Sequence, residues 1–263
     1  MEAFRGRTAL ITGASGGLGA EFARQLAAAG CNLVLVARSE TSMQELAREL
    51  EQAHSVRVMT IAMDLARPEA AGELHAQIRR DGPGIDVLIN NAGFGLYGPF
   101  TDDDPVRLRN MLQLNMVTLS ELTRLFLDQM KERGEGRIIQ IGSVASYQPG
   151  PLYSAYAASK AYVLSLGEAL NRELRGTGIS CTVVCPGVTA TGFLDNAGQQ
   201  GRKSLYQKLF MMNSPEVVRA GLKASLRNRP SVVTGALNKL QVFFLRFVTR
   251  SFAARAGYEA MKM

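Results

Sequence analysis

Through the first two-thirds of the chain, short apolar runs alternate with longer stretches whose apolar residues recur at helical spacing. That alternation is the signature of βαβ units, in which successive strands lie parallel in one sheet. Strands are expected at Thr8–Ile11, Leu33–Ala37, Arg57–Ala62, Asp86–Asn90, Arg137–Ile141 and Ile179–Cys185, with Val232-Val233 as a weaker final candidate. All but the last are nearly continuously apolar, as expected when helices cover both faces of a sheet. Helices are expected over 18–29 (ending at Gly30), 41–53, 68–80 and 153–175 (ending at Gly176). Asp102-Asp103-Asp104-Pro105 offers an aspartate cap and a first-turn proline to a long helix that runs to Arg133 and stops at Gly134. Ser214-Pro215-Glu216 repeats the device, with Ser214 as the cap. No internal repeat or low-complexity linker interrupts the series. The expected architecture is therefore a single α/β domain over residues 1–263, a doubly wound parallel sheet with helices on both faces. Residues 192–212, rich in Gly, Gln and Lys, break the pattern and read as a substrate lid loop.

The junction of the first strand and first helix is Thr12-Gly13-Ala14-Ser15-Gly16-Gly17-Leu18-Gly19. Glycines there let the backbone turn tightly and approach a pyrophosphate without Cβ clashes, and the helix start offers unpaired N–H groups to the anion. Tight turns also need glycine for steric reasons alone, so the site rests on the company this turn keeps. At the end of the second strand an acidic residue would bind the ribose hydroxyls of NAD. Ala37-Arg38 stands there instead, and a guanidinium can pair bidentately with a 2′-phosphate, which points to NADP(H).

Tyr156-Ala157-Ala158-Ser159-Lys160 lies in an expected helix, where residues four apart share a face. A phenol is a poor base at neutral pH. A neighbouring ammonium would stabilise the phenolate, lower its pKa and suit it to proton exchange with an alcohol oxygen. Ser143, just past the fifth strand, lies at the carboxyl edge where α/β ligands gather and can donate a hydrogen bond to a carbonyl as charge develops. Ser146 competes for that role. Tyr and Lys at this spacing are commonly a packed ring and a solvated amine, so the pair gains its force from the glycine turn, Ser143 and Asn90-Asn91-Ala92-Gly93 at the fourth strand's end.

The spacing TGxxxGxG, with NNAG, Ser143 and YxxxK, resembles the classical short-chain dehydrogenase/reductase family over roughly residues 5–195. The resemblance implies a Rossmann-type fold and a nicotinamide cofactor. It implies that Gly13, Ser15, Gly16, Gly17, Leu18, Gly19 and Arg38 bind the cofactor's phosphates, with Ser15 adding a hydroxyl contact. It places Asp64 and Leu65 at the adenine, and Asn91, Ala92 and Gly93 beside the adenine ribose. It places Pro186, Gly187, Val188 and Thr191 at the nicotinamide carboxamide. The family spacing favours Ser143 over Ser146, and Asn115 becomes a fourth catalytic member beside Tyr156 and Lys160, holding a water that relays protons to Lys160. Lys160 also holds the nicotinamide ribose.

Charge changes the picture at the C-terminus. Of 30 Lys/Arg residues, 12 lie in 201–263 beside two acids, so that segment carries +10 and the rest −3 of the net +7. Residues 237–256 read as one helix with a broad apolar face, on which Lys239, Arg246 and Arg250 fall within about 40° of one another. Such a helix can pack on its own domain or a second subunit, lie on an anionic membrane surface, or receive an acidic partner such as a CoA-linked substrate. Three cysteines without a CxxC pair and two distant histidines (His54, His75) argue against zinc and suit a reducing cytoplasm. No signal peptide and no membrane-spanning run are read.

The expected function is NADP(H)-dependent interconversion of a ketone or aldehyde and an alcohol. The expected partners are a small-molecule substrate and copies of the chain in a homo-oligomer, with no nucleic acid. The lid's Phe193, Leu194, Leu205, Tyr206, Leu209, Phe210, Met211 and Met212 favour a lipophilic substrate, such as a long-chain 3-oxoacyl or steroid-like compound. The alternatives are a non-catalytic NADP(H) sensor or scaffold, and a lyase or epimerase that recycles the cofactor.

Overall fold

The computed structural model describes residues 1–189, 193, 197–198 and 211–262. Seven strands form one sheet: β1 (Thr8–Thr12), β2 (Asn32–Ala37), β3 (Val58–Ala62), β4 (Val87–Asn90), β5 (Gly136–Ile141), β6 (Ile179–Cys185) and β7 (Ser231–Val233). Their order is β3-β2-β1-β4-β5-β6-β7 and every pairing is parallel. Every strand expected from the sequence is present, with bounds within a residue or so. All residues of β1 and β6 are buried, as a sheet covered on both sides requires.

Alternate strand residues go to opposite faces. Ala9 and Ile11 join one core with Phe22, Leu26, Met43, Leu50, Val217 and Leu222, contributed by α1 (Gly17–Ala28), α2 (Glu40–His54) and α7 (Ser214–Leu226). Leu10 and Leu88 join the other with Leu74, Ile78, Phe126 and Met130, from α3 (Ala70–Asp81) and α5 (Leu119–Arg133). The second face continues through Val163 and Leu164 of α6 (Ser154–Glu173) against Val183 and Cys185. Each fully buried Leu, Ile or Phe contributes about 1.5–3 kcal/mol, and a one-residue slip of a strand would reverse its faces, so this pattern sets the register. The strand order reverses between β1 and β4, which opens a crevice at their carboxyl ends.

Three helix expectations change. The run from Pro105 to Arg133 is α4 (Pro105–Leu112), a π-helical turn (Gln113–Thr118) and α5. Asp104 caps it as expected, accepting from the Arg107 N–H at 2.7 Å. The wider turn carries two buried polar residues, Asn115 and Thr118, whose hydrogen bonds to neighbouring segments compensate for its poorer backbone geometry. The cap of α7 is Asn213 rather than Ser214, which is the first helical residue.

Residues 237–256 are not one helix. α8 (Ala236–Phe244) tightens into a short 3-10 turn (Leu245–Phe247), Val248 is extended, and α9 (Arg250–Met261) starts afresh. The Thr249 hydroxyl accepts from the Phe252 N–H, so a good N-cap and an extended β-branched residue override the helical periodicity. The basic stripe read from a continuous helix is therefore split between two elements. Among the described residues, no helix is long and apolar enough to cross a membrane.

Candidate active site

The glycine turn leaves β1 beside the end of β2, with the N–H groups of Gly13 and Ala14 both donating to the Val36 carbonyl (2.8 and 3.3 Å). Its glycines do different work. Gly13 has φ +67°, and a Cβ there would lie 2.9 Å from Ala92 Cα. A Cβ on Gly19 would lie 2.2 Å from the Gly13 carbonyl oxygen, so Gly19 lets α1 pack against the turn. Gly16 is extended and exposed, and a Cβ there would meet no protein atom within 4 Å. Ser15, Gly16 and Gly17 are thus the open part of the turn, at the start of a helix whose first N–H groups lack intrahelical partners. Leu18 is half-buried behind them. This is the shape and polarity that a pyrophosphate needs.

Thr12, a residue the sequence reading did not assign to the site, joins the two halves of the crevice. Its hydroxyl donates to Ile89 O (3.3 Å) and accepts from the N–H groups of Asn91 and Ala92 (both 3.0 Å). Asn91 Nδ2 in turn donates to the carbonyls of Thr12 (2.9 Å) and Gly13 (3.2 Å). The NNAG segment is therefore bolted to the glycine turn. Its Asn91 side chain is engaged with protein, and Ala92 and Gly93 beyond it are half-buried.

Arg38 is exposed two residues beyond Val36, beside the turn that bears Ser15. Asp64 is exposed, and its Oδ1 accepts from the Ala66 N–H at 3.0 Å. Leu65 is buried in the second core, and its carbonyl accepts from the Thr118 hydroxyl at 2.8 Å. Its side chain is thus committed to packing.

Four residues expected to act together converge at the ends of β4 and β5. Ser143 caps a short 3-10 turn, accepting from the Ala145 N–H (3.1 Å), and hydrogen-bonds the Tyr156 side chain. Lys160 is 5 % exposed; its Nζ donates to Ile141 O (2.8 Å) and lies 5.8 Å from the Tyr156 ring centroid. Asn115 is fully buried. Its Nδ2 donates to Phe94 O (2.9 Å) and Ser159 Oγ (3.1 Å), and its Oδ1 accepts from the Phe94 N–H (3.2 Å). Gly93 separates Asn115 from Lys160: a Cβ there would lie 2.8 Å from Asn115 Oδ1 and 3.5 Å from Lys160 Nζ. Ser146 has other work, donating to the Lys160 carbonyl (2.8 Å) and accepting from the Ser143 N–H (3.2 Å). The geometry thus separates the two serines by what each hydroxyl already holds.

The electrostatics differ from expectation in one respect. Burial pushes the Tyr156 phenol up to about 12, against the opposing effect of its hydrogen bond to Ser143. The sequence reading anticipated a lowered value from the neighbouring ammonium. Burial also pulls Lys160 down to about 8, so desolvation acts on both partners against their charged forms. At neutral pH the site holds a neutral phenol and a buried ammonium.

Pro186 follows β6 and accepts from the Val144 N–H at 2.9 Å, holding the Ser143 turn. Gly187 permits close packing of Asn238, whose Nδ2 would lie 2.3 Å from a Cβ at 187. The Val188 carbonyl accepts from the Met212 N–H at 2.8 Å. Thr191, and Leu194, Leu205, Tyr206, Leu209 and Phe210 of the expected lid, lie outside the described residues.

Aromatic rings that no motif announces line the approach. Phe193 lies 5.2 Å from Tyr156, Tyr156 lies 5.9 Å from Tyr153, and Tyr153 lies 5.2 Å from Tyr97 (centroid to centroid). Gly95 lets the first pair close, since a Cβ there would lie 3.1 Å from Phe193 and 3.3 Å from Tyr156. A separate groove of about 390 Å³, lined by His75, Arg79, Asp128 and Arg133 among others, holds none of these residues. Convergent polar groups, rather than cavity size, identify the site.

Comparison with known proteins agrees with this geometry. The family model for short chain dehydrogenases matches residues 7–202. The chain is 33 % identical over 234 residues to the ketoacyl reductase HetN of Nostoc sp., covering 89 % of this chain and 79 % of that protein. It is 33 % identical over 221 residues to a very-long-chain 3-oxoacyl-CoA reductase of Neurospora crassa, covering 83 % of this chain but only 64 % of that longer protein. A short-chain dehydrogenase from Sphingobium yanoikuyae, solved in complex with NADPH, superposes with a TM-score of 0.79 at 31 % identity, covering 95 % of this chain and 99 % of that one.

Proposed function

This chain belongs to the short-chain dehydrogenase family of oxidoreductases, and we propose that it uses NADP(H) to interconvert a lipophilic ketone and its alcohol. The observation that carries the proposal is the meeting of Ser143, Tyr156 and Lys160 at one sheet edge, beside an open glycine turn. Ser15–Gly17, Arg38 and the segment after β6 would hold NADP(H), which when bound would supply a hydride to the carbonyl carbon or take one from the alcohol carbon. In reduction, Ser143 donates a hydrogen bond to the carbonyl oxygen and Tyr156 gives it a proton. The Lys160 ammonium stabilises the phenolate left behind. Both N–H groups of Asn115 are committed to protein, which fixes it beside Lys160, and its part is to hold the water that returns a proton to Lys160. Oxidation reverses each step.

The substrate class rests on the aromatic wall of Phe193, Tyr153 and Tyr97 and on the names of the 3-oxoacyl-reducing relatives. The test is NADPH consumption, followed by absorbance, across ketones graded by size and polarity. Turnover should rise with apolar bulk. Absence of net NADPH consumption with every ketone would overturn the assignment and favour a sensor or a cofactor-recycling lyase.

The cofactor preference has its own check. Charge-assisted hydrogen bonds contribute about 1.5–3 kcal/mol, so Arg38→Asp should weaken NADPH by about 10- to 150-fold relative to NADH. Equal loss for both cofactors would show that Arg38 does not meet the 2′-phosphate.

The lowered Lys160 pKa sets a pH dependence. Its ammonium is present below about pH 8 and is lost as pH rises through that value, so ketone reduction should decline there. Tyr156, pushed up to about 12, stays protonated across the same range and cannot account for the decline. Lys160→Arg, whose guanidinium keeps its charge, should remove the alkaline limb even where it lowers the maximum rate. A limb left at the same pH in that variant would assign it to another group.

A further inference from the structure

We propose that the C-terminal pair α8 and α9 docks the protein on an anionic lipid bilayer, with the mouth of the catalytic cleft beside the contact. The helices do not satisfy their apolar residues within the chain. The one buried residue of α8 is polar, Asn238, and the one buried residue of α9 is Ala253. Phe247 is 71 % exposed and Phe252 60 %, with Leu240, Phe243 and Phe244 also exposed. The Phe243 ring makes edge contacts with those of Phe244 and Phe247 (centroids 5.7 and 5.3 Å apart), and all three are exposed, forming an outward-facing aromatic cluster.

Charge selects the occupant. Lys239, Arg246, Arg250 and Arg255 are exposed on the same two elements. The only acid between residues 236 and 262 is Glu259, which pairs with Lys262. Among the described residues no acid pairs with the other four cations. A second copy docked face to face would bring two uncompensated sets of cations into one desolvated contact. A bilayer with anionic headgroups takes both features at once, receiving the phenylalanines at the acyl boundary and the cations at the phosphates.

The position of the pair gives the docking a purpose, and this part rests on the lipophilic substrate proposed above. Tyr97 Oη donates to the Met261 carbonyl at 2.9 Å, and Gly257 sits against Pro149 and Pro151. Tyr97 packs against Tyr153, whose ring meets Tyr156 edge-on, so α9 abuts the wall of the cleft. A substrate partitioned in the bilayer would reach that wall without crossing water.

Co-sedimentation of the full chain with vesicles tests this. At low salt the protein should pellet with equimolar phosphatidylcholine–phosphatidylglycerol vesicles and remain in solution with pure phosphatidylcholine. Near 1 M salt, where the Debye length is about 3 Å, the binding should collapse. Replacing Phe243, Phe247 and Phe252 together by serine should lower partitioning at least about tenfold. Replacing Arg246 and Arg250 by glutamine should lower it about fivefold per cation. Both variants should reduce a small water-soluble ketone at the parental rate, which keeps loss of docking distinct from loss of the proposed chemistry. The idea is overturned if the parent stays in the supernatant with anionic vesicles at low salt, or if the triple-serine variant pellets like the parent. It is also overturned if light scattering without lipid shows that the serines dissociate an oligomer, since a second copy then covers this face.

Discussion

Tyr156→Phe should lower turnover by about 10²- to 10⁴-fold, the usual contribution of a positioned general acid, while NADPH affinity stays close to the parent's. The substitution removes one oxygen and keeps the ring. That ring fills a defined place between Tyr153 and Phe193, over Gly95, so the shape of the cleft survives. The lost group is the phenol that burial holds protonated and that Ser143 hydrogen-bonds. The loss should therefore appear in kcat, with little change in KM, because the missing interaction is made in the transition state. Single-turnover NADPH oxidation and a fluorescence titration of the cofactor separate the two quantities. A variant that keeps most of its turnover would show that the substrate oxygen takes its proton elsewhere.

The second large effect separates two glycines of one turn. Gly19→Ala places a methyl 2.2 Å from the Gly13 carbonyl oxygen, and Gly13 is itself pressed against Ala92. The Gly13 carbonyl is backbone, and Asn91 Nδ2, 2.7 Å from the same methyl, is held by its own hydrogen bonds, so α1 must shift away from the turn. The cost should reach the upper end of the about 1–3 kcal/mol that overpacking incurs, read as a fall in thermal or denaturant midpoint. Gly16→Ala meets no protein atom and has an extended backbone, so stability should change by less than about 0.5 kcal/mol. Its methyl would occupy the open cradle at the start of α1, and NADPH affinity should fall. If Gly16→Ala binds NADPH as the parent does, the pyrophosphate does not pass over that residue.

The strands were legible because each is an almost unbroken apolar run, and a sheet buried on both faces leaves no other place for such runs. The glycine turn, NNAG, Ser143 and YxxxK were legible as a set: each alone has an ordinary structural reading, but their joint placement at successive strand ends does not. Helix ends were legible where one residue decides them, as Asp104 does by capping and Gly134 by its positive φ. Periodicity failed at 237–256, where it could not weigh a threonine cap against continuing the helix. The split left the apolar face and its cations on two short elements.

What the chain determines by itself is therefore the order of strands and helices along the sequence, the glycine turn and the residue types of the candidate site, since these follow from local patterning and spacing. Only the tertiary structure decided how they are used. It gave Ser146 to the Lys160 carbonyl and left Ser143 with Tyr156, made Thr12 the bolt between β1 and β4, and gathered Tyr97, Tyr153 and Phe193 into one wall. It also raised the Tyr156 pKa where spacing alone suggested a fall. The physical reason is common to all four. Burial and hydrogen-bond competition depend on which distant segments close over a group, and neither can be read from that group's neighbours along the chain.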